Sequence, residues 1–271
     1  MMRSYKKELV LATCFSILIL FLSWIFSLYR SRPRIVFCNV GQGNGTYVRT
    51  YEGKNIIVDA GPPNNAMLVC LGREMPLFEK KIHVAILSHM QSDHVGGFPE
   101  IVRRYEIQNV YLPTDILSEE IKKTMIDAHI YLTVVHQNDV IQIGDGERIE
   151  ILWPPSYPSS TKTSLDMNMF SIVANVCIYD RCILLPGDTP FQTLVNSVRL
   201  PQQVAVLEIA HHGSQNGTSF KLLQLIHPEE AVISVGKNNY GHPSKKVVDL
   251  LKKFQIPFKR TDIDGDITIP L

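Results

Sequence analysis

The residues Ser88-His89-Met90-Gln91-Ser92-Asp93-His94-Val95-Gly96-Gly97 follow directly on the apolar run Val84-Ala85-Ile86-Leu87. A short apolar run of this kind predicts a buried strand, so the polar stretch forms the turn at its end. Three side chains of metal-binding types, His89, Asp93 and His94, lie within six positions there, and the two glycines let the backbone bend tightly behind them. The stretch therefore predicts a metal-binding loop, in preference to a polar loop that is rich in histidine by chance.

Three further clusters of carboxylate and imidazole groups follow apolar runs later in the chain. They are Gly187-Asp188, His211-His212-Gly213-Ser214 and Gly241-His242-Pro243. Each cluster alone is weak evidence, but ligand groups at the ends of several strands together predict one shared site. Oxygen and imidazole donors suit zinc, manganese or iron better than calcium.

The segment Asn39-Val40-Gly41-Gln42-Gly43-Asn44 opens the same domain. Its two glycines permit a sharp turn whose backbone N–H groups would face an anion, and a simple hairpin turn is the alternative. A dinucleotide-binding fingerprint is excluded, because the third glycine and the following helix are missing.

Composition excludes some classes of function. A formal net charge of +1 over 271 residues gives no general attraction to nucleic acid, which would have to be held locally. Five cysteines are too few for a disulfide scaffold. We interpret Cys38, Cys70, Cys177 and Cys182 as buried apolar thiols, and the alternative for the last two is a bridge across a hairpin turn at Asp180-Arg181.

The N-terminus predicts a membrane anchor. After a short basic segment at residues 1–8, the run from Leu9 to Leu28 is uncharged. At about 1.5 Å per residue it is long enough to cross a hydrocarbon core of about 30 Å, so we predict one transmembrane helix over residues 9–29. A cleaved signal peptide is the alternative, but the small-residue cleavage pattern is missing after the run. Basic residues flank both of its ends, so charge alone leaves the orientation open.

Residues 34–271 show no internal boundary and are predicted to form one layered α/β (α+β) domain. Strands are predicted at 35–38, 46–50, 55–58, 83–87, 110–112, 131–135, 149–153, 170–178, 182–185, 205–209 and 231–235, with short strands near Lys259 and Ile267. Helices are predicted at 65–78, 99–105, 118–129, 191–199, 219–226 and 244–254. The loop at 153–166 is placed to cover the cleft as a lid, although no residue in it fixes that role.

In their order along the chain these motifs resemble the metallo-β-lactamase superfamily, and within it the ComEC-type extracytoplasmic hydrolase domain of DNA-uptake (competence) proteins. The family motifs D-V-G-Q-G-D, H-x-D-x-D-H-x-G-G, G-D, H-H-G-S and G-H-P correspond to residues 39–44, 89–97, 187–188, 211–214 and 241–243. The similarity covers residues 34–271, without the multi-span channel portion. It implies an αββα sandwich that lies outside the cytoplasm, with a metal site at one edge of its two sheets.

The resemblance also implies roles for individual side chains. Asp188 would bridge two metals and hold the attacking water, and His242 would contact a phosphate or protonate a leaving group. Asp59 would support the ligand loop from behind. At the H-H-G-S turn His211 is the expected ligand and His212 is the alternative, which the sequence does not resolve. The full candidate ligand set is His89, Asp93, His94, Asp188, His211 and His212.

Three positions depart from the family pattern. Asn39, Asn44 and Gln91 are amides where the family has aspartate. A neutral amide is a poorer ligand for a divalent cation than a carboxylate, so the site containing His89 and Gln91 is weakened most. We therefore expect one firmly held metal, zinc or manganese, and a second site that is weak or absent.

These observations predict a single-pass, membrane-anchored, metal-dependent hydrolase, a phosphodiesterase or nuclease that acts on DNA. Two alternatives stay open. One is a catalytically impaired member of the fold that binds DNA or a partner, and the other is a hydrolase of another extracellular ester. A separate uptake channel protein is the further partner that the resemblance brings into consideration.

Overall fold

The computed structural model describes residues 2–155 and 167–271. Within these ranges two seven-stranded sheets face each other, and helices cover the outer face of each sheet. The predicted αββα sandwich is therefore confirmed. Most of the predicted lid at 153–166, namely residues 156–166, lies outside the described residues.

The described residues form the following helices and strands. The helices are α1 (Met2–Arg30), α2 (Ala66–Glu74), α3 (Ser92–Val95), α4 (Phe98–Arg104), α5 (Glu119–Asp127), α6 (Phe191–Ser197), α7 (Phe220–Ile226), α8 (Lys245–Lys253) and α9 (Thr261–Asp264). The strands are β1 (Arg34–Phe37), β2 (Thr46–Arg49), β3 (Asn55–Val58), β4 (Lys81–Ile82), β5 (Val84–Ile86), β6 (Glu106–Ile107), β7 (Val110–Leu112), β8 (Leu132–Val134), β9 (Val140–Gly144), β10 (Glu147–Trp153), β11 (Val173–Ile178), β12 (Arg181–Leu185), β13 (Val206–Glu208), β14 (Glu230–Ile233), β15 (Phe258–Arg260) and β16 (Ile267–Pro270).

Strand direction brings the polar loops to one edge of the sandwich. The first sheet has the order β16-β1-β2-β3-β5-β7-β8, in which β3, β5, β7 and β8 are parallel. The second sheet has the order β15-β14-β13-β12-β11-β10-β9, in which β12 to β15 are parallel. We call the edge at the C-terminal ends of these parallel strands the rim. Because β1 runs in the same direction as β3, it begins at the opposite edge, and α1 joins the domain there.

Side chains alternate between two apolar layers along each central strand, as the period of a strand requires. In β1, Ile35 and Phe37 pack between the two sheets, whereas Val36 faces the helices of the first sheet. The second sheet behaves likewise, with Leu184 directed towards a cluster that contains Leu222 of α7. Because helices cover its outer face, a strand such as β3 is buried along its whole length.

α1 is bound to the domain through two arginines. The guanidinium of Arg34, which is buried, donates to the carbonyls of Arg30 and Arg32 at 3.1 Å and so caps the end of the helix. Arg30 donates to the carbonyls of Gly72 and Met75 at 3.2 Å, at the end of α2. The segment Lys6–Arg30, with a mean hydropathy of 2.6, is long and apolar enough to cross a membrane, and an N-terminal signal sequence would meet the same criteria.

The prediction of four buried thiols is wrong. Cys38 at the end of β1 forms a disulfide with Cys70 of α2, with their Cα atoms 6.0 Å apart. Cys177 and Cys182 are directly opposed on β11 and β12 and also form a disulfide, which was the alternative reading. The first bridge depends on which side of β1 faces α2, and the spacing of the cysteines carries no information on that.

Candidate metal centre

The first half of the site is the loop that follows β5. Asp59, with a left-handed φ of 61°, accepts hydrogen bonds from the Ser88 N–H and the Ser88 hydroxyl, both at 2.7 Å. Its Oδ2 also accepts from Nδ1 of His94 at 2.7 Å. A histidine whose Nδ1–H is bound to a carboxylate presents Nε2 in a fixed direction. Asp59 thus has the supporting position that was predicted for it.

The opening loop packs directly against this ligand loop. The N–H of Asn44 donates to the carbonyl of Asp93 at 3.2 Å. At Gly43, which has a φ of 148°, an added Cβ would lie 2.2 Å from the same carbonyl oxygen. Only glycine therefore allows this approach, which explains the glycine next to Asn44 in the opening motif.

The second half of the site comes from loops of the second sheet. Asp188 follows β12, is 1% exposed, and donates its N–H to Ser171 Oγ at 3.2 Å. His211 and His212 both have left-handed backbones, with φ of 52° and 53°. His212 donates Nδ1–H to the carbonyl of Ser234 at 3.0 Å, so its Nε2 also faces the site.

The ligand-type atoms of both halves converge. Nε2 of His94 lies 3.2 Å from Oδ1 of Asp188, and Nε2 of His212 lies 3.3 Å from Oδ2 of Asp93. Oδ2 of Asp188 lies 3.6 Å from Nε2 of His211 and 4.0 Å from Nε2 of His89. The ligand atoms form two groups, and within each group all of them lie within 4.8 Å of one another. One group is His89, His94 and Asp188, and the other is Asp93, His94 and His212, so His94 belongs to both.

These residues fit a divalent cation. Nε2 of His89, Nε2 of His94 and both carboxylate oxygens of Asp188 are buried and have no hydrogen-bond partner among the described residues. Leaving so many buried polar atoms unpaired is costly, and a cation among them would satisfy all four. The donor set of imidazole and carboxylate groups suits zinc or manganese.

The charge states in the site favour cation binding. Burial opposes ionisation of Asp188, yet His94 beside it, followed by His212 and His89, holds the pKa of that carboxyl well below its usual range. Burial, reinforced by His94, lowers the pKa of His89 to about 4, so His89 is neutral near pH 7, as a ligand must be. Against its own burial, Asp188 and Asp59 raise the pKa of His94 well above its ordinary value. A cation would therefore displace a proton from His94 on binding.

The structure distinguishes the two histidines of the H-H-G-S turn. His212 is 2% exposed and lies in a ligand group with Asp93 and His94, whereas the side chain of His211 is 34% exposed and lies in neither ligand group, with Nε2 3.6 Å from Asp188. His211, which was the expected ligand, is thus more peripheral than the alternative.

His242 lines the open side of the site. Its ring centroid lies 5.7 Å from that of His211, on a cleft of about 480 Å³ that also includes Gln42, Asp93 and Tyr240. Burial and the nearby His211 lower the pKa of His242. Of the two predicted catalytic residues, His242 therefore borders this cleft, whereas Asp188 is buried behind its lining residues.

The three amide side chains make contacts of their own. The side chain of Asn39 accepts the N–H of Gly41 at 3.3 Å, and Asn44 is buried beside Asp93. Gln91 borders the cleft and donates its amide Nε2 to Oδ1 of Asn168 at 2.7 Å. The amide of Gln91 is thus directed to a neighbouring side chain, which leaves His89 without a carboxylate at that position.

Sequence reasoning missed several buried residues behind the ligands, among them Ser234 and Glu208. The Ser234 hydroxyl donates to Oε1 of Glu208 at 2.5 Å, while the carbonyl of Ser234 orients His212. Burial raises the pKa of Glu208 from 4.5 to about 7. The only available signal was a charged residue inside the apolar run Val206-Leu207-Glu208-Ile209-Ala210.

Glu208 should make the metal-free protein less stable as the pH rises. Between pH 4.5 and about 7 the carboxyl ionises when unfolded and stays protonated when folded, so the free energy of unfolding falls across that window. Glu208→Gln keeps an acceptor for Ser234 and removes this titration. We expect its stability advantage over the parent chain to grow through the window to about 3 kcal/mol. Urea denaturation in the presence of a chelator at several pH values measures this difference in stability. Glu229→Gln, at an exposed position, is the control and should show no such trend. Equal pH profiles for Glu208→Gln and the parent chain would contradict the prediction.

The chain matches a family model and several curated proteins. The family model described as the metallo-beta-lactamase superfamily matches residues 38–237. ComE operon protein 3 of Bacillus subtilis (strain 168) is 24% identical over 271 residues, covering 92% of this chain and 34% of that protein. Competence protein ComA of Neisseria gonorrhoeae is 27% identical over 237 residues, covering 86% of this chain and 31% of that protein. The chain thus spans about a third of the length of these curated relatives.

A solved structure shows the same architecture. Zn(2+)-bound PqqB from Methylobacterium extorquens aligns with a TM-score of 0.55 at 10% identity, covering 88% of this chain and 100% of that one. At this level of identity the likeness establishes the fold alone.

Proposed function

We propose a function from one premise: the chain belongs to the metallo-β-lactamase superfamily, a family of metal-dependent hydrolases. The proposed function is hydrolysis of phosphodiester bonds in DNA by a membrane-anchored enzyme. The observation that carries it is the pair of ligand groups sharing His94 on the rim, with buried donor atoms that lack partners. DNA is the proposed polymer because ComA is named as a competence protein, and competence is the uptake of DNA.

In this proposal Asp93, His94 and His212 would hold one zinc or manganese ion firmly, with Asp188, at 3.2 Å from Nε2 of His94, as a further ligand. The position near His89 is weak, because Gln91 replaces a carboxylate there and its amide pairs with Asn168. A bound divalent cation supplies Lewis-acid activation of water and neutralises charge on a phosphoryl group.

The protein's own groups position the reaction. Asp59 and the carbonyl of Ser234 fix the rings of His94 and His212, so their Nε2 atoms keep one direction without substrate. Asp188 accepts a hydrogen bond from the attacking water. His242, whose pKa is lowered, is neutral near pH 7 and donates a ring N–H to a phosphoryl or leaving-group oxygen.

The proposed location is the membrane, with the hydrolase domain outside the cytoplasm. α1 supplies a helix of sufficient length and apolarity. The disulfides Cys38–Cys70 and Cys177–Cys182 support the sidedness, because disulfides form in oxidising compartments and are rare in the cytosol. An uptake channel protein in the same membrane is the proposed partner.

The two histidines of the H-H-G-S turn provide the direct test. His212→Ala should lose bound metal and lower DNA hydrolysis more than about 100-fold, beyond the usual effect of residues behind the ligands. His211→Ala, the matched control at the next position, should keep the metal and lose less than about 10-fold. Metal content per chain is measured alongside cleavage of single- and double-stranded DNA with zinc or manganese.

Other outcomes of this experiment separate the alternatives. Equal loss of metal in both variants would reject the assignment of His212. DNA binding without cleavage, and without dependence on metal, would favour a catalytically impaired binding protein. Hydrolysis of a small ester with no action on DNA would favour a different substrate class.

A further inference from the structure

The turn Pro76–Glu79 exposes a large apolar side chain where the backbone disfavours one. The N–H of Glu79 donates to the carbonyl of Pro76 at 3.1 Å, and Phe78, the third residue of the turn, has a left-handed φ of 68°. Glycine is the residue favoured at such a position. Phe78 is nevertheless 95% exposed, and its neighbour Leu77 is 38% exposed. Packing within the described residues therefore does not account for the phenylalanine.

The base of this turn is fixed, so its tip is held outward. Met75 is buried before it. At its last position, the carboxylate of Glu79 accepts hydrogen bonds from Nη1 of Arg49 at 2.9 Å and from Nδ2 of Asn55 at 2.7 Å. Both ends are thus anchored in the domain, and Phe78 projects from a rigid support.

The turn lies where α1 joins the domain. Arg30, the last residue of α1, donates to the carbonyl of Met75, which immediately precedes Pro76. A bilayer that contains α1 would end close to Arg30, and hence close to the turn. The apolar tip is therefore continuous with the proposed membrane-spanning surface.

Cationic groups surround an aromatic ring beside the turn. Nζ of Lys80 lies 5.0 Å from the ring centroid of Tyr105. Arg104, which precedes Tyr105 in the chain, is exposed, as is Lys80. Exposed lysine and arginine side chains close to the end of an apolar helix are typical of residues that contact anionic lipid headgroups.

We propose that the Pro76–Glu79 turn is a second membrane contact, in which Leu77 and Phe78 enter the interface of the bilayer that holds α1 and Lys80 and Arg104 face anionic phospholipid headgroups. The inference rests on the membrane anchoring in the proposed function. It does not depend on the identity of the hydrolysed substrate. A short apolar tip with adjacent cations binds such an interface weakly by itself and orients a domain that is already tethered.

Fluorescence quenching by lipid tests this contact in the full chain. Single-tryptophan proteins are made in a Trp24→Phe, Trp153→Phe background by adding Phe78→Trp, or by adding Ile263→Trp as a control. Ile263 is 69% exposed and follows β15 on the rim, away from α1. A third protein, Trp153→Phe, keeps Trp24 inside α1. Each is reconstituted in vesicles of phosphatidylcholine and phosphatidylglycerol that carry doxyl groups near the headgroup.

We expect the tryptophan at position 78 to be quenched at least about threefold more strongly than that at position 263, because only the first lies in the interface. Quenching of Trp24 without quenching at position 78 would overturn the second contact and leave the anchor intact. If neither Trp24 nor the tryptophan at position 78 were quenched, both the anchor and the second contact would be overturned. Quenching at position 78 that persists in vesicles of phosphatidylcholine alone would overturn the role of anionic headgroups.

Phe78→Gly supplies an independent measurement on a variant that suits the backbone of the turn. If Phe78 serves the membrane and not the fold, this variant should melt no lower than the parent chain in detergent. A clear fall in melting temperature would show a structural role for the ring and overturn the proposal.

Discussion

Replacing Asp188 with Asn is expected to remove the bound metal and reduce hydrolysis by more than about 100-fold, beyond the effect of losing a residue that only supports a ligand. Asp188 carries this expectation because its oxygens lie within 4.0 Å of ring nitrogens of His89, His94 and His211. Asparagine keeps the size of the side chain and removes the charge that attracts a cation.

Metal content per chain and the rate of phosphodiester hydrolysis are the two measurements for Asp188→Asn. The matched control is Asp180→Asn, an exposed carboxylate at the other end of β12, which should leave both unchanged. If Asp188→Asn retained a full complement of metal and its activity, the rim would not be the metal centre.

The second large effect concerns stability. Cys38→Ser with Cys70→Ser should lower the free energy of unfolding by about 3–4 kcal/mol, because the bridge closes a loop with a sequence separation of 32 and restricts the unfolded chain. The bridge Cys177–Cys182 has a separation of only 5, so its removal should cost about 2 kcal/mol.

Urea denaturation of the two double variants, without reductant, measures this difference. The parent chain treated with reductant should approach the sum of both losses. A greater loss from the hairpin bridge than from Cys38–Cys70 would contradict the loop-length argument.

Much of the architecture could be predicted because local chemistry and tertiary structure agree. The run before His89 forms β5, and the helix predicted from residue 118 forms α5, where Ser118 caps the helix by accepting the N–H of Ile121 at 3.3 Å. Strand β9 was missed, since it lies at the edge of the second sheet, where Val140 is exposed and the pattern of burial is weak.

The site could be predicted in composition but not in detail. The sequence placed the ligand types at strand ends, and their roles stay predictions until metal binding is measured. It did not separate His211 from His212, because the same residue type occupies both positions, both have left-handed backbones, and the ring of His212 is oriented by a tertiary contact with the carbonyl of Ser234. The disulfide of Cys38 was missed because its partner, Cys70, is brought close only when α2 packs on the outer face of the first sheet.

The attachment of α1 at the edge opposite the rim sets what can reach the cleft. When α1 sits in a bilayer, the whole thickness of the sandwich separates the ligand groups from the lipid surface. A headgroup of that same bilayer would then be out of reach, whereas a polymer in the aqueous compartment would approach from the far side. If α1 is an anchor, its position would therefore favour substrates in solution over lipids of the same bilayer.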